Sequence, residues 1–434
     1  MHSNSNNHPE EYNMKMYKYL FILCLLLNVT QMLASDNYRA HRYDEFTSLS
    51  VNENSIVFVG NSITDMHNWP EAFGNDPRIV SRGVSGGFSH EVLDNVYSWV
   101  CGHPAKVFIM IGTNDLRNGS EPSAIAQSIQ QTVDIIRTES PETEIYLQSV
   151  LPAADGGNKS DSTIMLTNTL IETICAKTEK CTFVNLFHLL SGVKTQGWPY
   201  SADADHLHIS ALSYRLWCKA IEPYLDGLKC VYPEDTEVLQ NRYGDTSVTG
   251  LRYSYFSVQP TCADDIIFIG DGLVQSGEWH ELLPGSRIKN HGMGWEVASG
   301  SISITSKIID ATLSENSSVL RQMPKAILLY TGSTSYDAVA YDALIKKIHS
   351  YGSDIKVYCV SLLPNIEHYL STNASIEYLC NQNPNTYYLD VATSLAPHIH
   401  EADYFTNNHP YHQTYLTIAQ QIGLQVNWVS QPYK

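Results

Sequence analysis

The sequence predicts an α/β protein of two tandem domains, each built on a mainly parallel sheet. Three observations carry that expectation. At 434 residues the chain is too long for one ordinary hydrophobic core. Apolar, β-branched runs alternate with longer stretches of helical periodicity, the pattern of strand–helix–strand units. The order of landmarks then occurs twice, with corresponding points about 200–220 positions apart, which marks a duplication and not a solenoid array.

In the first half, strands are expected at residues 56–59, 107–111, 145–150 and 183–185. Helices are expected at 123–137 and 164–177, with a closing helix at 211–225. The second half has strand-like runs at 266–269, 326–330 and 355–360, followed by GDG, TGST and LLP. A histidine-bearing loop, NNHPYH, precedes its last helix. Residues 233–250 are polar, with few apolar positions in periodic order, and form the expected linker.

Apolar residues make up 43% of the chain and charged ones 17%, which fits a globular protein and not a disordered one. The formal net charge of -18 is a poor match for nucleic acid or an anionic membrane surface. Neutral substrates such as acylated sugars remain compatible with it. Near the start, Lys15 and Lys18 precede an apolar run at 19–29, and the small residues Ala34 and Ser35 follow. That pattern is expected to be a secretory signal over residues 1–35, with Met14 or Met16 as alternative starts. The apolar run is shorter than the roughly 20 residues a spanning helix needs, although an uncleaved anchor is the competing reading. An exported protein, periplasmic or extracellular, is therefore expected, with no stable membrane insertion after cleavage.

Without Cys24, the chain keeps an even number of cysteines in an oxidising compartment. Cys175 with Cys181, Cys218 with Cys230, and Cys359 with Cys380 are candidate pairs, the first of them expected to be joined. Buried free thiols are the alternative. No CxxC motif or Cys/His cluster points to a metal, and no cofactor is expected.

Four segments carry chemistry. The first strand runs into GNSIT, which would present Ser62 at the sheet's carboxyl edge, where open α/β sheets bind ligands. A nearby helix N-terminus would favour a developing oxyanion there, although a serine in such a turn can also simply cap the helix. In RGVSGGFS, the missing Cβ of Gly86 would let a backbone N–H approach a substrate oxygen. GTND places the amide of Asn114 at the same edge as a second donor. In DHLH, Asp205 stands three residues before His208, so one imidazole nitrogen can bind the carboxylate while the other faces a serine. Each has an ordinary alternative as a turn, a cap or a loop hydrogen bond. All four in this order make coincidence improbable.

With these four blocks, GNSIT, VSGG, GTND and DHLH, the chain resembles the SGNH (GDSL-like) hydrolase family from about residue 56 to 225. The resemblance implies flavodoxin-like, three-layer domains and no cofactor. It implies Ser62 as nucleophile, His208 as general base and Asp205 as the acid that orients it. It further implies an oxyanion hole made by the N–H of Ser62, the N–H of Gly86 and the side chain of Asn114. Asn61 departs from the family's usual aspartate, which touches fine positioning and not the reaction type. The chain then divides into a signal region at 1–35, a catalytic domain at 36–232, a linker at 233–250 and a degenerate second domain at 251–434.

On the same frame, Gly272 stands where Ser62 stands and residues 331–334 fall near GTND, so nucleophile and donor asparagine are missing. Trp295 falls close to the Gly86 position, His409 matches His208, and Thr406 takes the acid's place. The second domain is thus expected to be non-catalytic and to pack on the first through matching faces, as subunits do in a two-fold dimer. The expected substrate is a small-molecule or glycan ester with a short acyl group, acetyl foremost. Trp69 and Trp99 are candidate sugar-stacking surfaces, with core packing as the alternative. A lysophospholipase or thioesterase with the same triad, and a glycan-binding protein without catalysis, are the other functions weighed.

Overall fold

Five short strands form the first sheet: Ile56–Gly60 (β1), Ile79–Gly83 (β2), Lys106–Met110 (β3), Glu144–Gln148 (β4) and Cys181–Val184 (β5). The computed structural model describes residues 38–152, 160–195, 207–234, 247–294, 301–315, 319–406 and 409–426. The expected export segment, most of the expected linker, Asp205 and Trp295 lie outside the described residues. Every strand pair in the sheet is parallel, in the order β2-β1-β3-β4-β5. That is the flavodoxin-like order, in which the chain leaves β1 on one side for β2 and returns on the other for β3. Gly60 is level with both Gly83 and Met110, so the carboxyl ends of these three strands are flush.

The second sheet repeats the plan with Ile266–Gly270 (β6), Ile288–Gly292 (β7), Ala326–Tyr330 (β8), Lys356–Val360 (β9) and Thr386–Leu389 (β10). Its order, β10-β9-β8-β6-β7, is the same one read from the other edge, and Gly270 is again level with Gly292 and Tyr330. The helices follow expectation closely. The helix expected at 123–137 is Pro122–Glu139, with proline in its first turn, and the next is Asp161–Lys177, capped by Ser160. The closing helix is Ala211–Ile221, followed by one 3-10 turn, Glu222–Tyr224.

Side chains alternate across the first sheet. Val57, Val59, Val107 and Ile109 are buried with Ile125, Ile129, Val133 and Ile136 of helix Pro122–Glu139. Phe58 and Phe108 point the other way and stack, with ring centroids 4.9 Å apart. Trp69 stacks on Phe58 at 4.2 Å and donates its indole N–H to Thr64 O. Trp69 and Trp99 are 0% and 3% exposed, so neither is a sugar-stacking surface; both are core.

The two sheets share one apolar cluster that runs from Phe58 and Trp69 through Tyr255 and Phe256 to Phe268 and Trp279. Around it the contacts come in related pairs. Arg42, on the helix at 38–48, donates to Ser276 O at 2.6 Å; Arg252, on helix Val248–Val258, donates to Met66 O at 2.7 Å. The guanidiniums lie over Phe46 and Phe256 at 4.7 and 5.1 Å. Edge strand β2 carries Arg82, which grips Glu281 through both carboxylate oxygens at 2.7 and 2.9 Å. Edge strand β7 answers with His291, 3.9 Å from Glu71, and with the Asn290 N–H, 2.6 Å from the same carboxylate. An uncovered edge strand offers free N–H and C=O groups to other chains, and each unit here covers the other's edge.

Glu278, His280 and Glu281 gather within reach of one another, but Arg42 and Arg82 already hold the two carboxylates. The three candidate cysteine pairs are adjacent in space as free thiols: Cys175 Sγ is 2.7 Å from Cys181 Sγ, and Cys218 faces Cys230 as Cys359 faces Cys380. Among the described residues no helix is long and apolar enough to cross a membrane.

Two expected outcomes follow from the contacts between the units. Glu281→Ala strands the buried Arg82 guanidinium and should cost about 3–5 kcal/mol in urea denaturation, whereas a change under about 1 kcal/mol would show the pair to be slack. Burial pushes the Glu71 carboxyl up to about 7, against the pull of Lys289 and the Asn290 N–H. A raised folded-state pKa means the folded chain holds a proton that the unfolded chain has released. Its contribution is full below the unfolded value near 4.5 and is lost as pH rises through about 7. The stability of wild type minus that of Glu71→Gln should therefore fall between about pH 5 and pH 8. A flat or rising difference would contradict this.

Candidate active site

β1 ends in a glycine because nothing else fits. A Cβ on Gly60 would stand 2.2 Å from Thr64 Oγ1 and 2.5 Å from Met110 O. The chain turns at once into the short helix Ser62–Asp65, and Asn61 caps it, its Oδ1 accepting from Ile63 N at 3.0 Å. The capping role open to Ser62 in the sequence thus belongs to Asn61. Asn61 also shows why aspartate is dispensable there, since an amide oxygen accepts that bond as a carboxylate would. Ser62 is the first helical residue, where backbone N–H groups have no partner within the helix.

β2 runs on to Val84, whose N–H bonds Gly60 O at 2.9 Å, and then to Gly86 at φ 80°, a left-handed conformation that favours glycine. Two side chains fix this loop. Asp65 accepts from Ser85 N at 3.0 Å, from Ser85 Oγ and from Tyr38 Oη at 2.9 Å, with the Arg42 guanidinium 3.6 Å away. Burial and the Asp65 charge raise the Tyr38 hydroxyl well above its ordinary range, so it stays a donor. From the short helix Thr113–Arg117 that follows β3, Asn114 donates one amide hydrogen to Gly87 O at 2.9 Å. Its Nδ2 carries a second hydrogen for another acceptor. Beside it, the buried Asp115 takes Ser89 N with both oxygens at 3.1 Å and Ser89 Oγ at 2.6 Å.

Ser62, Gly86 and Asn114 thus stand just past the flush ends of three adjacent strands. His208 is carried on the loop before helix Ala211–Ile221, which Ser210 caps. Tyr214 of that helix donates to Ile63 O at 2.8 Å, tying the helix after His208 to the one that begins at Ser62. His208 and Met66 line one small cavity together with Tyr214. Asp205 lies outside the described residues. Asp65, Ser85 and Asp115 are supports that the sequence reading missed. The available signal was an acid in the first turn of each short helix after a motif strand, in GNSITD and GTND.

In the second unit Asp271 is the cap, accepting from Leu273 N at 2.9 Å and from Ser333 Oγ. Burial raises its carboxyl to about 6. Gly272 takes the place of Ser62, and the β8 register sets Thr334 level with Asn114. A Cβ on Gly272 would meet only Gly294 Cα, at 3.4 Å, so packing does not require a glycine there. Thr406, paired with His409 in a two-residue antiparallel ladder, spends its hydroxyl on Ala402 O at 2.8 Å.

Comparison with known proteins returns a family model, the GDSL-like lipase/acylhydrolase family, over residues 58–216. Among solved structures, a GDSL-like lipase from Bacteroides thetaiotaomicron is 24% identical and covers 44% of this chain and 98% of its own, with a TM-score of 0.35. A carbohydrate esterase family 3 protein from Talaromyces cellulolyticus is 18% identical and covers 40% and 96%, with a TM-score of 0.34. The lipase/acylhydrolase from Enterococcus faecalis is 18% identical and covers 41% and 98%, with a TM-score of 0.36. No curated protein matches. Residues 58–216, which include Ser62, Gly86 and Asn114 just beyond the three flush strand ends, match the model of the GDSL-like lipase/acylhydrolase family.

Proposed function

We propose that the protein is an exported serine esterase that hydrolyses short acyl esters, acetyl esters of carbohydrates foremost, at a site confined to its first unit. The observation that carries the reading is that Ser62, Gly86 and Asn114 each follow, within four residues, the level carboxyl ends of three adjacent strands. Neutral His208 takes the Ser62 proton as Oγ adds to the ester carbonyl, and Asp205 holds the imidazole in the matching tautomer. The oxyanion that forms is met by the N–H groups of Ser62 and Gly86 and by the Asn114 amide. Collapse expels the alcohol, which takes the proton from His208 and leaves an acyl-serine. Water then adds by the same route, releasing the acid and restoring Ser62. Support for a short acyl group comes from the compact spacing of the motif segments, which leaves little chain for a lid over a long acyl chain. The signal-like pattern before residue 36 supports export.

The second unit supplies no nucleophile in this scheme. Gly272, Thr334 and Thr406 stand where a hydroxyl nucleophile, an amide donor and an acid would be needed.

Ser62→Ala, His208→Ala and Asn114→Ala should each lower aryl acetate hydrolysis by about a hundredfold or more, and Ser62→Ala combined with His208→Ala little further. Full activity in Ser62→Ala would remove the assignment. Across aryl esters of increasing chain length, kcat/KM should be highest for acetyl; a maximum at long chains would point to a lysophospholipase or thioesterase. Gly272→Ser added to Ser62→Ala should stay silent, and turnover above background would place a second active site in the other unit.

A further inference from the structure

We infer that Arg252, supplied by the second unit, is a positioning residue for the esterase reaction, holding the nucleophile helix in place from outside its own domain. The inference rests on the assignment of Ser62 as nucleophile. Helix Ser62–Asp65 has four residues, too few to be stable on its own intrahelical bonds. Its C-cap is Met66, whose N–H bonds the carbonyl of Ser62 itself at 2.8 Å. Arg252 Nη1 donates to the Met66 carbonyl at 2.7 Å, so one residue links the guanidinium to the nucleophile's backbone. Nη2 of the same group donates to Gly292 O at 2.7 Å, at the carboxyl end of β7. The nucleophile helix is therefore tied to the rigid edge of the other sheet.

Two further contacts from the same helix bear on this point. Tyr255 Oη accepts from Asn68 N at 3.2 Å, two residues beyond Met66. Leu251, Arg252 and Tyr255 also form one wall of the cavity whose other wall includes His208, Met66 and Tyr214. Arg252 is 4% exposed and stacks on Phe256, so its head has little freedom. Met66, at the end of the Ser62 helix, and His208 thus line one cavity with an element that the catalytic sheet does not contain. In the related position, Arg42 grips Ser276 O at the end of helix Gly272–Ser276, where no nucleophile stands. The tether is mutual, while the chemistry it serves lies on one side.

The test uses full-length variants with an aryl acetate, read as kcat and KM separately, beside the labelling rate of Ser62 by an aryl fluorophosphonate. Arg252→Ala should lower kcat and labelling together by about 10- to 100-fold, with KM within about twofold, because misplacement of a reacting group by about 1 Å costs that much. Arg252→Lys, able to reach only one of the two carbonyls, should fall between the two. Arg321→Ala is the control for stability alone. Arg321 fastens the far end of the same helix through the carbonyls of Phe256 and Ser257. It should lower Tm yet keep kcat within about threefold. Should Arg252→Ala fail to fold, Arg252→Gln takes its place with the same expectation. Wild-type kcat in the Arg252 variants, or a loss in Arg321→Ala as deep as theirs at equal Tm, would overturn the role. Ser62→Ala run in parallel separates the failures: silent, it leaves the esterase standing without the tether; active, it removes both.

Discussion

A guanidinium withdrawn from water must find carboxylates or carbonyls, and in this chain that demand joins the two halves. Arg42, Arg82 and Arg252 are each under 5% exposed, and each takes at least one acceptor from the opposite unit. An uncompensated buried charge costs several kcal/mol, so neither unit can turn or slide without stranding one of them. The shared apolar cluster supplies adhesion, which has no direction. The arginines supply register, because each reaches a particular carbonyl or carboxylate. Every other feature of the interface, including the mutual covering of β2 and β7, presupposes that register.

The sequence made the strand–helix alternation, the duplication and the sheet edge that carries the motifs legible, since parallel strands buried on both faces read as apolar runs. Three strands were not legible, and their residues say why. β2 reads IVSRG and β7 reads IKNHG, polar where a central strand would be apolar. Both lie at sheet edges facing the other unit, where the Arg82 side chain finds Glu281 and the Asn290 backbone N–H finds Glu71. Their polarity reflects a surface that exists only after the halves meet, which local periodicity cannot report. β10, TYYL, is a short edge strand with Tyr387 42% exposed, so its pattern is diluted by solvent.

The candidate site divides the same way. The motif residues were legible because their types are rare in that order after a strand. Their supports were not. Asp65 and Asp115 look like ordinary first-turn acids, yet they hold the Gly86 loop and helix Ser89–Asp94 through Ser85 and Ser89. Arg252 carries no local signal at all, since its partner carbonyl lies 186 positions away. Serine, glycine and asparagine stand out in the sequence by themselves; the groups that hold them still are visible only once distant segments meet.

The near-identity of the two frames separates what the fold requires from what the chemistry requires. Gly60 and Gly270 each leave no room for a Cβ, and Trp69 and Trp279 each donate to the helix that follows their sheet's first strand. Asn168 and Asn373 each clamp the chain just beyond the fourth strand through paired bonds. These repeat because both sheets would fail without them. Ser62 and Asn114 do not repeat, although Gly272 has room for a side chain. Among the described residues, the second unit therefore repeats groups that shape the sheet and brace its neighbour, and differs at the positions of Ser62 and Asn114. That division is what an enzyme needs if half of it works as scaffold: catalysis depends on one set of positions, and its rigidity on both.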